Sequence, residues 1–102
     1  MTSRIEEKLP QIAELCREYR VRRLALFGSA LRGDFDPKHS DIDFVVEFEP
    51  LPPGIYADTY FGLIDALEHL LQRSVDLVES GSVRNPYFRQ EIEANQETVY
   101  AA

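Results

Sequence analysis

The sequence predicts a small α/β domain in which a mixed β-sheet is flanked by helices. Short apolar runs, typical of buried strands, occupy residues 21–27, 41–48 and 74–79. The segments before and between these runs carry apolar residues at intervals of three and four, which is the spacing of one helix face. A length of 102 residues with 44% hydrophobic content suits one apolar core, so we expect residues 1–102 to form a single domain.

The predicted elements follow one another as helix, strand, turn, strand, helix, strand and helix. The first helix is expected over about residues 10–19, after a short initial turn, because a proline inside a helix removes a hydrogen bond. A second helix is expected over about residues 57–72. Together with the strands on either side of it, this helix should form a right-handed parallel crossover. A last short helix begins near residues 85–86, and Thr-Val-Tyr at 98–100 is expected to be a tail.

Charge limits the functions that the chain can have. The net charge is −7, because residues 1–40 hold eight Lys or Arg against six Asp or Glu, whereas residues 41–102 hold three against twelve. This balance, with a pI near 4.7, argues against broad contact with nucleic-acid phosphates, so no direct DNA binding is expected. It fits a protein that binds cations, or one that docks on a basic partner.

The sequence has the features of a cytoplasmic protein. No apolar run approaches the ~20 residues of a membrane span, and acidic residues stand where a signal peptide needs an apolar stretch. Cys16 is the only cysteine, which excludes an intrachain disulfide and a cysteine metal cluster. We therefore expect a cytoplasmic location without membrane contact.

Two aspartates give the strand at 41–48 its chemical character. Asp41 and Asp43 project from the same face of the strand, and the opposite face is apolar. Two like charges on one face repel each other, and a divalent cation reverses that penalty. Such a pair can hold Mg²⁺ ions at the spacing used for phosphoryl or nucleotidyl transfer. A strand with one solvated face shows the same alternation, so the pattern alone leaves both interpretations open.

Two further features favour the metal site. Asp76 lies in the middle of a short strand and would join the aspartate pair if the two strands are neighbours, although a solvated edge strand explains it as well. Gly28 and Ser29 end the first strand at a helical turn, where free N–H groups favour an anion. Arg32 lies about one turn later, where a guanidinium can hold a phosphate. A simple capped turn is the alternative, and the lysine of a Walker-type loop is absent.

In combination, these residues resemble the nucleotidyltransferase superfamily of the DNA polymerase β type. The shared pattern is Gly28-Ser29, then Asp41-x-Asp43 among apolar residues, then a separate acid at Asp76. The string Gly-Ser-x-x-Arg-Gly, with Ser-Asp-x-Asp soon after it, resembles the minimal nucleotidyltransferases, which carry the catalytic core without a second domain. The resemblance implies the nucleotidyltransferase fold and a Mg²⁺-dependent nucleotidyltransferase activity.

The resemblance also implies a role for each residue of the pattern. The triphosphate of ATP would be contacted by Gly28, Ser29 and Arg32. A two-ion Mg²⁺ site would be formed by Asp41 and Asp43. Asp76 would either complete that metal site or act as the general base on the acceptor hydroxyl.

The resemblance further implies a protein partner. Minimal nucleotidyltransferases are commonly paired with a small helical toxin of the HEPN type, and some transfer AMP from ATP to a tyrosine of that toxin. The chain would then be an antitoxin that neutralises a cognate HEPN toxin by adenylylation. One alternative is a non-catalytic antitoxin that acts by stoichiometric binding. The other is transfer to a small molecule such as an aminoglycoside, although such relatives usually carry an added helical domain.

Overall fold

A four-stranded mixed β-sheet organises the structure, a computed structural model that describes residues 3–27, 41–82, 85–87, 90, 94 and 96–102. The strands are β1 (Val21–Phe27), β2 (Ile42–Phe48), β3 (Val75–Glu79) and β4 (Glu97–Ala101). Their order across the sheet is β3-β2-β1-β4. β1 is antiparallel to β2 and to β4, whereas β2 is parallel to β3. The predicted mixed sheet is therefore confirmed.

The helices are α1 (Ser3–Glu7), α2 (Leu9–Glu18) and α3 (Tyr56–Leu71). Pro10 lies in the first turn of α2, where its missing N–H breaks no helical hydrogen bond, so the proline separates α2 from the short α1. Gln72 caps the C-terminus of α3. It adopts a left-handed conformation with φ 56° and turns the chain back towards β3. The predicted crossover between two parallel strands is confirmed. None of the helices in the described part of the chain is long and apolar enough to cross a membrane.

One apolar core fills the space between these helices and one face of the sheet. The period of two puts Ile42, Phe44 and Val46 of β2 on that face, and each of them is at most 2% exposed. The register of β1 against β2 shifts between Val21 and Arg23, which lets Val21 join the same core. The helices and the remaining strand positions complete the core with Ile5, Ile12, Cys16, Leu24, Leu26, Leu63, Leu67, Leu71, Val75 and Leu77.

Cys16 is fully buried in this core, on α2. Burial raises the pKa of its thiol to about 12, against a smaller opposing effect of Arg17. A thiolate is the reactive form of cysteine, so the thiol is chemically inert in the folded chain.

The end of the chain differs from the prediction. Thr98, Val99 and Tyr100 were expected to be a tail, but they form most of β4, which pairs with β1. The expectation was wrong because a five-residue edge strand has too short an alternation to stand out in the sequence. A last short helix was predicted before β4, and the described residues of that segment are helical at 86–87, 90 and 94.

Candidate active site

Asp43 and Asp76 lie side by side on the face of the sheet opposite the core. They are register partners across β2 and β3, and the flanking pairs are Ile42–Val75 and Phe44–Leu77. Neighbouring strands are about 4.8 Å apart, and side chains at paired positions project to the same face. Asp43 is half-buried and Asp76 is exposed. The condition on which Asp76 would join the site, that the second and third strands are neighbours, is therefore met, and it brings these two carboxylates together.

Asp41 lies just before β2 and is exposed. The N–H of Ile42 donates a hydrogen bond to the carbonyl of Ser74 at 2.9 Å, which fixes the start of β2 against the residue that precedes β3. Within the described residues, no three His, Cys, Asp or Glu side chains are grouped closely enough to hold a metal ion. In the structure Asp43 is thus paired with Asp76, and Asp41 does not form a three-carboxylate group with them.

A small apolar cluster borders the aspartate pair on the same face. Ala25 and Val45 are register partners on β1 and β2, they are 0% and 5% exposed, and Phe27 packs against them. Phe27 is also the register partner of Asp43. Asp43 is therefore flanked by an aromatic residue on one side and by Asp76 on the other. Apolar neighbours lower the local dielectric constant, which strengthens the attraction between a carboxylate and a cation.

α3 holds the main chain of β3 on both sides of Asp76. The hydroxyl of Tyr60 donates a hydrogen bond to the carbonyl of Leu77, and the N–H of Val75 donates to Oε2 of Glu68 at 2.9 Å. Because Ser74 faces β2, Val75 and Leu77 direct their main-chain groups to the outer edge of the sheet. The two side chains of α3 therefore occupy edge groups next to Asp76 and hold its strand in register.

Sequence reasoning did not find this role of Tyr60 and Glu68. The two residues stand about two helical turns apart, so they share one side of α3, and that spacing was the available signal. The spacing does not indicate that these side chains contact β3, because that contact depends on where α3 lies against the sheet.

The hydroxyl of Tyr60 remains a hydrogen-bond donor. Burial raises its pKa above the ordinary value, and the negative charge of Asp76 raises the pKa further. Burial also raises the pKa of Tyr56, with smaller contributions from Glu79 and Tyr60. Both phenols are therefore protonated at neutral pH, and Tyr60 serves β3 as a donor rather than as a base.

Gly28, Ser29 and Arg32 lie outside the described residues. Their contacts with a triphosphate therefore stay predictions. The strand that leads to them, β1, ends at Phe27, beside Asp43. A ligand bound by the residues that directly follow β1 would therefore lie close to the aspartate pair.

Comparison with known proteins decides the family. The sequence matches the nucleotidyltransferase domain family over residues 9–98. The chain belongs to the nucleotidyltransferase domain family. The match extends from α2 into β4 and includes all six predicted site residues, listed here in chain order: Gly28, Ser29, Arg32, Asp41, Asp43 and Asp76. The predicted superfamily and enzyme class are confirmed.

Individual relatives agree with this assignment. This chain is 38% identical over 92 residues to a Methanocaldococcus jannaschii protein provisionally named a protein adenylyltransferase. The alignment covers 89% of this chain and 90% of the relative. A solved structure provisionally described as a minimal nucleotidyltransferase has a TM-score of 0.75 and 28% identity, with 91% of this chain and 90% of that chain covered.

A third similarity is to a chain from a toxin–antitoxin complex. The complex holds a tri-AMPylated HEPN toxin of Shewanella oneidensis together with an MNT antitoxin. The TM-score is 0.65 at 22% identity, and the match covers 95% of this chain and 72% of that chain. At this identity the similarity shows a common fold.

Proposed function

We propose that this nucleotidyltransferase transfers AMP from ATP to a tyrosine hydroxyl of a HEPN-type partner protein and thereby acts as its antitoxin. The observation that carries the proposal is the register pairing of Asp43 with Asp76 beside the end of β1. The acceptor class is supported by the M. jannaschii relative, named a protein adenylyltransferase, and by the AMPylated toxin in the S. oneidensis complex.

The carboxylates of the site fit Mg²⁺. Carboxylate oxygens are the hard ligands that this ion prefers, and Asp43 and Asp76 present theirs from paired positions. We assign Asp41 and Asp43 as ligands, since they stand two residues apart at the start of β2. When bound, the metal would supply charge neutralisation at the phosphates.

The transfer step requires a nucleophile, a base and a leaving group. The acceptor oxygen attacks the α-phosphorus of ATP, the bond from that phosphorus to the pyrophosphate oxygen breaks, and pyrophosphate leaves. We assign the acceptor proton to the carboxylate of Asp76, which is exposed on the edge strand β3 where a partner's hydroxyl can approach. The second role proposed for Asp76 is to complete the metal site. Gly28, Ser29 and Arg32 would orient the triphosphate for in-line attack.

Intact-mass spectrometry tests this function. The protein is incubated with ATP, Mg²⁺ and the product of the neighbouring gene as the candidate partner, and the masses of both chains are measured. We expect an adenylyl-sized increment on the partner with the wild-type protein, and no increment with Asp43→Asn. The matched control is Glu14→Gln, which removes an exposed carboxylate on α2.

The same experiment separates the alternatives. A stable complex without an increment, for any of the four nucleotides, would replace the proposal with stoichiometric binding. An increment on an aminoglycoside in the absence of any partner would indicate a small-molecule transferase. Tandem mass spectrometry of the modified partner identifies the acceptor residue, and a residue other than tyrosine would correct that part of the proposal.

A further inference from the structure

We propose that the aromatic patch formed by Phe48, Tyr56, Tyr60 and Phe61 is the docking surface for the acceptor protein, and that this protein presents a basic, apolar-centred surface to it. The inference rests on the proposed function, because it names the surface through which the protein acceptor reaches Asp76. It is carried by the exposure of the patch, its position beside β3 and its charge.

The patch is a continuous row of rings with an exposed end. Phe48 and Tyr56 meet edge to face at 5.7 Å between ring centroids, Tyr56 and Tyr60 stack at 6.0 Å, and Tyr60 and Phe61 meet edge to face at 5.2 Å. Phe61 is 62% exposed and Tyr56 is 45% exposed. Large aromatic rings that stay exposed while ordered against one another are typical anchors of protein interfaces.

One ring of the patch contacts the strand that carries Asp76. Tyr60, the third ring of the row, donates its hydroxyl hydrogen bond to Leu77, the residue after Asp76. The charge of Asp76 also contributes to the raised pKa of Tyr60, so the two side chains are within electrostatic reach of each other. The row therefore meets the β3 edge at Tyr60, and a protein bound to Phe61 and Tyr56 would have to extend past this edge to bring its hydroxyl to Asp76, which projects from the opposite face of the sheet.

The edge of β3 explains why the contact would be made through side chains. An exposed edge strand can pair with a strand of another chain. Here the outward N–H of Val75 is bound by Glu68 and the outward carbonyl of Leu77 is bound by Tyr60. These two contacts oppose strand addition at β3, whereas the rings next to them remain available.

The charge around the patch selects a basic occupant. Residues 41–72, which include all four aromatic residues of the patch, hold seven Asp or Glu and no Lys or Arg. Of the neighbouring arginines, Arg22 is paired with Glu47 and Arg20 lines a depression with Asp58. Asp58 and Asp65 are exposed on α3 close in sequence to Phe61. A basic surface with apolar side chains at its centre complements both the rings and the carboxylates, whereas an acidic surface would be repelled.

The test compares two matched substitutions, Phe61→Lys and Tyr87→Lys. Each replaces an exposed ring with the same charged side chain, and Tyr87, which is 82% exposed, lies outside the ring row. Affinity for the product of the neighbouring gene, the candidate partner, is measured by calorimetry, and ATP affinity is measured in parallel. We expect Phe61→Lys to weaken partner binding by ~10-fold or more and Tyr87→Lys to change it by less than ~2-fold, with ATP affinity unchanged in both.

Several outcomes would overturn the proposal. Wild-type affinity for the partner in Phe61→Lys would do so, and so would weakened ATP binding, which would make the patch a stacking site for the base. A change in the oligomeric state of the isolated chain would identify a self-association surface instead. Phe61→Ala provides a second variant, which removes the ring without adding a charge, should the lysine variant not fold.

The experiment separates this inference from the proposed function. Asp43→Asn should bind the partner normally and transfer nothing, whereas Phe61→Lys should transfer at a normal rate once the partner is saturating. Absence of any complex with the wild-type protein would refute the HEPN-type partner. A wild-type complex that Phe61→Lys retains in full would refute the docking surface and leave the proposed transfer intact.

Discussion

Asp43 and Asp76 are directly paired on the parallel strands β2 and β3, and both project from the face opposite the core. Like charges directly opposite each other on neighbouring strands are destabilising, and favourable pairs at such positions contribute roughly 0.2–1 kcal/mol, which sets the order of magnitude. The pair therefore opposes folding in the absence of a cation and favours cation binding once the chain is folded. This relationship links the stability of the protein to its proposed chemistry.

Replacing Asp76 with asparagine tests that link. We expect Asp76→Asn to raise the free energy of unfolding by up to about 1 kcal/mol in EDTA, because it removes the repulsion with Asp43. It should also lower nucleotidyl transfer by about 100-fold or more, since a base or a metal ligand is lost. Urea unfolding with and without Mg²⁺, together with transfer rates, measures both effects. Glu14→Gln, on α2, is the control, and lower stability in EDTA with full transfer would contradict the assignment.

The hydrogen bond from Tyr60 to Leu77 should stabilise β3. Tyr60→Phe keeps the ring and removes the donor, so we expect the free energy of unfolding to fall by about 1 kcal/mol. The matched control is Tyr56→Phe, because among the described residues the Tyr56 hydroxyl has no hydrogen-bond partner, while its ring is stacked in the same row. Urea unfolding gives the difference, and amide hydrogen exchange locates it on β3. Equal stability of the two variants would show that the bond to Leu77 contributes nothing.

Gly62 is in close contact with the ring of Tyr19. A Cβ at position 62 would lie 2.8 Å from Cε1 of Tyr19, which is too close for two carbon atoms. Alanine gains roughly 1 kcal/mol over glycine inside a helix, but overpacking costs about 1–3 kcal/mol. We expect Gly62→Ala to be destabilising in the wild-type chain and stabilising in a Tyr19→Ala background. A thermal-unfolding double-mutant cycle checks this sign change, and the same effect in both backgrounds would mean that the ring moves aside freely.

Burial of Cys16 should make the protein less stable at high pH. The thiol ionises near pH 9.0 when unfolded and at about 12 when folded. Above pH 9 the unfolded chain therefore binds fewer protons than the folded one, and stability falls at up to about 1.4 kcal/mol per pH unit until pH 12. Urea unfolding at pH 8 and pH 10 should show about 1.4 kcal/mol more loss in the wild type than in Cys16→Ala. The same pH dependence in both proteins would mean that the thiol does not carry the effect.

Most of the fold could be predicted from local patterns. The strand at Val21–Phe27 was predicted at its observed bounds, and α3 at Tyr56–Leu71 lies within one residue of the expected helix. Both segments have a strong periodicity with clear ends, formed by a glycine or by a run of prolines. β4 was missed because five residues on the outer edge of the sheet carry little periodic signal.

The aspartates of the candidate site could be predicted from the sequence, but the residues that hold their strand in place could not. Asp43 and Asp76 could be selected because an aspartate in the middle of an apolar strand is unfavourable without a compensating partner. Tyr60 and Glu68 could not be selected, since a tyrosine and a glutamate on a helix are ordinary residues. Their role depends on the position of α3 against the outer edge of β3.

The sequence by itself determined which residues face the core and which carry the chemistry. The periods of two and of three to four follow from the geometry of a single strand or helix, so they can be read locally. Only the tertiary structure decided that Asp76 is paired with Asp43, that β4 lies beside β1 and that α3 holds β3 by its edge. These contacts join segments far apart in the chain, and their register is set by packing over the whole sheet and core.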